Sequence, residues 1–233
     1  MIPTHHVAVQ RVSSGARARV FAMAGALVVA LAGACHRPSP LLAPQPPGLD
    51  ATSPDSFVVR FETTRGDVDL AVHRDWAPLG ADRLYWLVTH GYYDGARFFR
   101  VVPGFVAQFG IPAEPEVTRQ WRQRRIADDS VTRSNVRGTL SFATSGPNTR
   151  TAQLFINLVD NSRLDSRGFA VLAQVVAGMA VVDSLHGGYG EAPPRGTGPQ
   201  QDRITSEGDR YLQQDFPRLD QIRSTRVIRR YKR

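Results

Sequence analysis

Arg100 and Gln108 are polar intruders in an otherwise apolar stretch, residues 98–110, which reads Phe-Phe-Arg-Val-Val-Pro-Gly-Phe-Val-Ala-Gln-Phe-Gly. A lone polar side chain in such a run either points to solvent or makes a polar spot on an apolar floor. On a floor, an arginine offers hydrogen-bond donation, because its guanidinium is charged at any working pH and carries several N–H groups. Other chemistries find little to work with. The six histidines, at 5, 6, 36, 73, 90 and 186, show no ligand spacing, so no metal site is expected. The single cysteine, Cys35, rules out a disulfide framework within the chain.

The elements that must position Arg100 and Gln108 are legible around them. Pro103-Gly104 separates two apolar runs. Proline presets φ for the first central turn position and glycine accepts a positive φ at the second, so the stretch reads as strand, turn, strand. Upstream, Phe57, Val59 and Phe61 alternate with Val58, Arg60 and Glu62, and Val68, Leu70 and Val72 alternate again after a turn at residues 63–67. This predicts a β-hairpin. A helix is expected from Pro78, with Leu79, Leu84, Leu87 and Val88 as its apolar face and Gly91 as its end. Further on, residues 180–185 read as a second helix, 209–215 as a short helix, and Arg226-Val227-Ile228 as a closing strand. Residues 111–137 and 187–208 read as loops. Trp121 is surrounded by Arg119, Arg122, Arg124 and Arg125, a pattern that nucleic acid can use, but the segment is read as a solvated surface loop.

Three stretches, in order and at fitting spacing, resemble the cyclophilin family. The first is F-x-R-x-x-P-G-F-x-x-Q, here Phe98, Arg100, Pro103, Gly104, Phe105 and Gln108. The family usually follows the glutamine with a glycine pair; this chain has Phe109-Gly110. The second is residues 138–157, matching at Ala143, Gln153 and Phe155, with Thr144 at a position that works through its backbone. The third is residues 164–175. There the binding-face tryptophan of many members is absent, Arg163 or Leu164 stands near its place, and the family's histidine falls on Phe169.

The resemblance covers about residues 57–186 and implies a mainly β fold, an eight-stranded antiparallel barrel capped by two α-helices. It implies peptidyl-prolyl cis–trans isomerase activity, with Arg100 and Gln108 as catalytic residues. Substrate would be bound by Phe105, Val106, Ala143, Thr144, Gln153, Phe155, Leu164 and Phe169. No cofactor is implied, the partners are proline-containing peptides or unfolded segments, and the two departures in the third stretch imply weak cyclosporin binding. The alternative is a peptide-binding or chaperone module on the same fold with little isomerase activity.

The ends of the chain speak to location. Arg11, Arg17 and Arg19 precede an apolar run at 20–32 that is too short for a comfortable transmembrane helix. Ala32-Gly33-Ala34-Cys35 follows, resembling a bacterial lipoprotein signal, although leucine stands at 31 rather than at 32. Lipidation of Cys35 is therefore expected, with residues 1–35 as signal and the proline-rich 36–55 as an extended tether. The folded domain is expected over 56–228 and a basic tail over 229–233. Formal net charge is +8, part of it in the leader, and the only lysine is Lys232. Such mild basicity in the rest of the chain does not argue for nucleic acid. A monomer is expected, exported and held at a membrane by lipid.

Overall fold

Alternation at Phe57, Val59 and Phe61 and at Val68, Leu70 and Val72 builds the first two strands of the computed structural model, which describes residues 39–43, 49 and 51–231. All six side chains are buried. Strand β1 (Ser56–Thr63) pairs antiparallel with β2 (Gly66–His73), Val59 opposite Leu70 and Phe61 opposite Val68. Helix α1 (Pro78–Thr89) follows, then β3 (Arg100–Val101), β4 (Val106–Phe109) and α2 (Pro115–Trp121). Strands β5 (Thr139–Phe142), β6 (Leu154–Asn157) and β7 (Val171–Ala177) precede α3 (Met179–Asp183), α4 (Gln201–Glu207), α5 (Asp209–Asp215) and β8 (Ile222–Tyr231).

All the pairings are antiparallel, and the strand order is β3-β4-β6-β5-β7-β2-β1-β8. The sheet curls into a half-barrel. Its two ends meet just ahead of the edge strands, where Arg97 bridges Gln221 and the Phe98 N–H donates to the Asp220 carbonyl at 3.0 Å. Phe61, Leu70, Leu87, Leu140, Ile156 and Leu172 belong to the largest buried cluster among the described residues, inside this curl. Fold class and strand count match the expectation; the helices need correction. Besides α1, α3 and α5, the described residues hold α2 and α4, in segments that read as loops.

Helix α1 starts at Pro78, as expected, but Leu79 is exposed rather than part of its apolar face, which Ala81, Leu84, Leu87 and Val88 supply. Ala77 at its N-cap has no side chain to offer. The orphan donors of the first turn are met from afar: the Asp129 carboxylate accepts from the Leu79 and Gly80 N–H groups at 3.0 and 2.8 Å. Arg150, fully buried, donates to the same carboxylate at 3.0 Å. The 111–137 segment thus closes the end of the helix. Its Trp121 is also buried, 4.9 Å from Trp86, so the aromatic centre of the basic cluster is core, not a platform for a ligand.

Two more findings concern the ends. Strand β8 runs to Tyr231, pairing Arg229 with Val58 and Arg230 with Phe57, so most of the expected basic tail is strand. Within the expected tether, Leu41 and Leu49 pack against the core and the Leu41 carbonyl accepts from the Trp121 indole N–H at 3.0 Å. Cys35 and the rest of the expected signal lie outside the described residues.

Candidate active site

The Pro103-Gly104 turn, with Gly104 at φ 74°, folds β4 back on β3 so that Arg100 stands directly opposite Gln108. Gln108 in turn stands opposite Phe155 of β6. Side chains at directly opposed positions share a face, so Arg100, Gln108 and Phe155 form a row across the sheet. The pleat separates the faces: Ala107 and Phe109 belong to the core, while Val106 and Gln108 line a cleft on the opposite side.

Along that row runs a chain of hydrogen bonds. Arg100 Nη1 donates to Gln108 Oε1 at 3.0 Å, Gln108 Nε2 to Gln153 Oε1 at 2.9 Å, and Gln153 Nε2 to Gln201 Oε1 at 3.2 Å. The cleft beside it holds about 410 Å³. Its apolar floor is Val106, Phe155 and Leu164, all buried, with Phe105, Ala143 and Phe169 packed around them. Phe169 meets Phe155 edge-on at 5.6 Å. Thr144 is at the margin, its hydroxyl engaged with Thr149 in its own loop at 2.7 Å. Gln153 lines an adjoining pocket of about 220 Å³ with Gln108, Ala143, Thr144 and Gln201. All the expected site residues except Cys35 therefore lie around one cleft and its side pocket.

The floor and rim are anchored by a polar network in which Asn135, Asn157 and Asn161 are fully buried. Asn161 Nδ2 donates to the Phe105 carbonyl and to Asn157 Oδ1, both at 2.9 Å. Asn135 Nδ2 donates to the Phe169 carbonyl and to Asp165 Oδ1, both at 2.8 Å. Asp165 sits in a 3-10 turn, Ser162–Arg167, that also carries Leu164. Burial alone raises the Asp165 carboxyl; the bonds from Ser134 and Asn135 outweigh it and hold the group below its ordinary value. Gly110, where the family's glycine pair is broken, has φ 105°, and a Cβ there would lie 2.7 Å from the Ala152 carbonyl oxygen and 2.9 Å from the Gln153 Cα. The one glycine kept is the one that lets Gln153 approach.

One partner of Arg100 was not anticipated. Glu191, in the 187–208 segment read as a loop, accepts from Arg100 Nη2 at 2.7 Å and from Nε at 3.2 Å. Its loop is drawn tight: the Gly198 N–H donates to the Glu191 carbonyl at 2.7 Å, and a Cβ at Gly198 would sit 2.8 Å from the Gly190 carbonyl oxygen. The Arg100 guanidinium, chiefly by hydrogen bonding and against a smaller opposing effect of burial, holds the Glu191 carboxyl below its usual range. The available signal was that Glu191 is the only acid in residues 187–200. The guanidinium is thus gripped on two edges. Each of Nη1 and Nη2 carries two N–H groups, and the bonds to Gln108 and Glu191 leave one on each uncommitted. An apolar cup beside a fixed pair of donors suits an apolar ring next to an electron-rich atom.

Comparison with known proteins bears on this geometry. The family described as "Cyclophilin type peptidyl-prolyl cis-trans isomerase/CLD" matches residues 58–207. Peptidyl-prolyl cis-trans isomerase B of Escherichia coli is 35% identical over 139 residues, spanning 56% of this chain and 84% of that protein. A peptidyl-prolyl cis-trans isomerase of Acinetobacter baylyi is 33% identical over 134 residues, spanning 55% and 71%. Among solved structures, a cyclophilin type isomerase of Cryptosporidium parvum superposes with a TM-score of 0.57 at 19% identity, over 76% of this chain and 99% of that one. A likeness at that identity speaks to the fold.

Proposed function

The chain belongs to the cyclophilin-type peptidyl-prolyl cis–trans isomerase family, and from that premise we propose how its cleft turns an Xaa-Pro bond. The reaction is rotation about a C–N bond whose partial double-bond character sets a barrier of roughly 18–20 kcal/mol. No covalent bond changes, so the site's task is to favour the twisted amide over the planar one. In the planar amide the proline nitrogen shares its lone pair with the carbonyl; in the twisted one it regains it and becomes an acceptor. The uncommitted N–H groups of Arg100 meet that lone pair only as the bond twists. The proline ring sits on Val106, Phe155 and Leu164, and Gln108 and Gln153 hold the arginine and the adjoining peptide. The observation that carries this reading is Arg100, held 3.0 Å from Gln108 beside the buried apolar floor.

We infer further that the protein works outside the cytoplasm as a monomer, held to a membrane by lipid on Cys35. Support comes from the basic leader, the short apolar run and the small residues before the only cysteine. Unaided proline exchange takes tens of seconds, so an isomerase there would speed the folding of exported chains. Mass spectrometry of the mature N-terminus tests the anchor: a diacylated or triacylated Cys35 is expected, and an unmodified peptide running through residue 35 would contradict it. For the activity, substoichiometric full-length protein is expected to accelerate cis-to-trans conversion of an Ala-Pro tetrapeptide in a protease-coupled assay. Binding of the peptide with no acceleration would point to a binding module instead.

A further inference from the structure

Among the described residues, four arginines and one carboxylate line the cleft: Arg100, Arg163, Arg167, Arg195 and Glu191. The carboxylate is spent on Arg100 through two hydrogen bonds. The other three arginines are exposed, and among the described residues none has an acid within ion-pair distance. They converge on the cleft from two directions. Arg163 and Arg167 come from the 3-10 turn that carries Leu164, and Arg195 comes from the loop that carries Glu191. Arg163 is also seated, its guanidinium 4.9 Å from the centre of the Phe105 ring, over which Arg100 lies at 5.4 Å. A cation held over an aromatic face is oriented rather than free to wander.

We propose that the cleft selects Xaa-Pro segments carrying an acidic side chain beside the proline, with Arg163, Arg167 and Arg195 as the residues that receive it. This rests on the isomerase reading and deepens it. Glu191 divides the labour: by accepting from Nε and one N–H of Nη2 it offsets the charge of Arg100, whose remaining N–H groups serve the proline nitrogen, and leaves a substrate acid to the outer arginines, Arg163 and Arg167 above all, since Arg195 also feels the Glu191 charge. Charges at an exposed rim act mainly on encounter and binding, and salt weakens them because the screening length falls to about 10 Å at 0.1 M ionic strength.

The test uses full-length protein and three tetrapeptides differing only in the residue before proline, Glu, Ala or Lys, with kcat/KM measured at low and high salt. The expected order at low salt is Glu above Ala above Lys. Steering of this kind changes rates by about tenfold or more, and high salt should narrow the spread. In the combined Arg163→Ala, Arg167→Ala, Arg195→Ala variant the Glu-to-Lys ratio should approach one. Equal acceleration of all three peptides by the wild type, or a ratio that survives high salt or the triple change, overturns the selectivity and leaves the isomerase reading standing. No acceleration of any peptide overturns both.

Discussion

Arg100 is held from two edges by Gln108 and Glu191, and the two grips make separable predictions. Glu191→Gln keeps one acceptor and the loop but loses the charge, so kcat should fall severalfold with KM little changed. The pH profile tests this beyond a structural role. Arg100 keeps the Glu191 carboxyl ionised to lower pH than usual, so wild-type turnover should drop only as pH falls through that depressed value. Glu191→Gln should lack that acid limb, and an unchanged limb would assign it to another group. At the rim, Arg163 over Phe105 stands near the place of the missing tryptophan, so cyclosporin should fail to inhibit at nanomolar concentration. Tight inhibition would show a binding face intact without it. Which of these residues could be read in advance follows from distance along the chain. Arg100 and Gln108 are joined by a turn whose register follows from Pro103-Gly104. Glu191 reaches Arg100 through tertiary bonds of a glycine-rich loop, which no local pattern encodes.

Among the elements, the 111–137 segment differed most from its reading as a solvated loop. Its Asp129 caps α1 and neutralises Arg150, and Trp121 packs on Trp86. Removing one partner of a buried ion pair costs about 3–5 kcal/mol. Asp129→Ala should therefore lower stability by about 3 kcal/mol in urea unfolding, and a loss within experimental error would remove the capping role. Strands β1 and β2 were legible because one buried face forces period-two alternation. The cap was not, because Asp129 and the helix it serves are far apart in sequence and Ala77 gives no sign of needing help. Gly110→Ala tests the site's backbone. At φ 105° and against the Ala152 carbonyl, the added Cβ should cost about 1–3 kcal/mol in stability. It should also weaken the Gln153 contact to Gln108, visible as a lower kcat/KM than the stability loss explains.

At the scale of the whole molecule, the eight-stranded antiparallel sheet was legible from the three matched stretches and its first hairpin from alternation; the strand order, the extra helices and the length of β8 were not. Arg229 and Arg230 read as a polar tail because β8 alternates little at an exposed edge, where pairing with β1 decides the structure. Acid should unfold the domain with a definite sign. Asp69 is held low by its bond from Arg60, and Asp82, despite burial, by Arg74 and the Ser53 N–H. The stability these groups contribute is complete above the ordinary carboxylate range and is lost as pH falls through their depressed values. Burial lowers His73 as well, so a smaller loss should begin below about pH 6.5. Melting temperature should then be flat from neutrality to about pH 9 and fall on acidification, with a separate loss above about pH 10, where the buried Tyr92 and Tyr93 resist ionisation; a rise toward acid would contradict the assignment. The central claim, that Arg100 drives rotation rather than merely binding peptide, is tested most directly by exchange NMR. An Ala-Pro tetrapeptide is followed with full-length wild type and with Arg100→Ala, peptide binding being read from chemical-shift changes in the same samples. The account requires that the variant still bind while exchange between the cis and trans signals drops by about 10². Exchange undiminished in a folded, peptide-binding Arg100→Ala protein would contradict it.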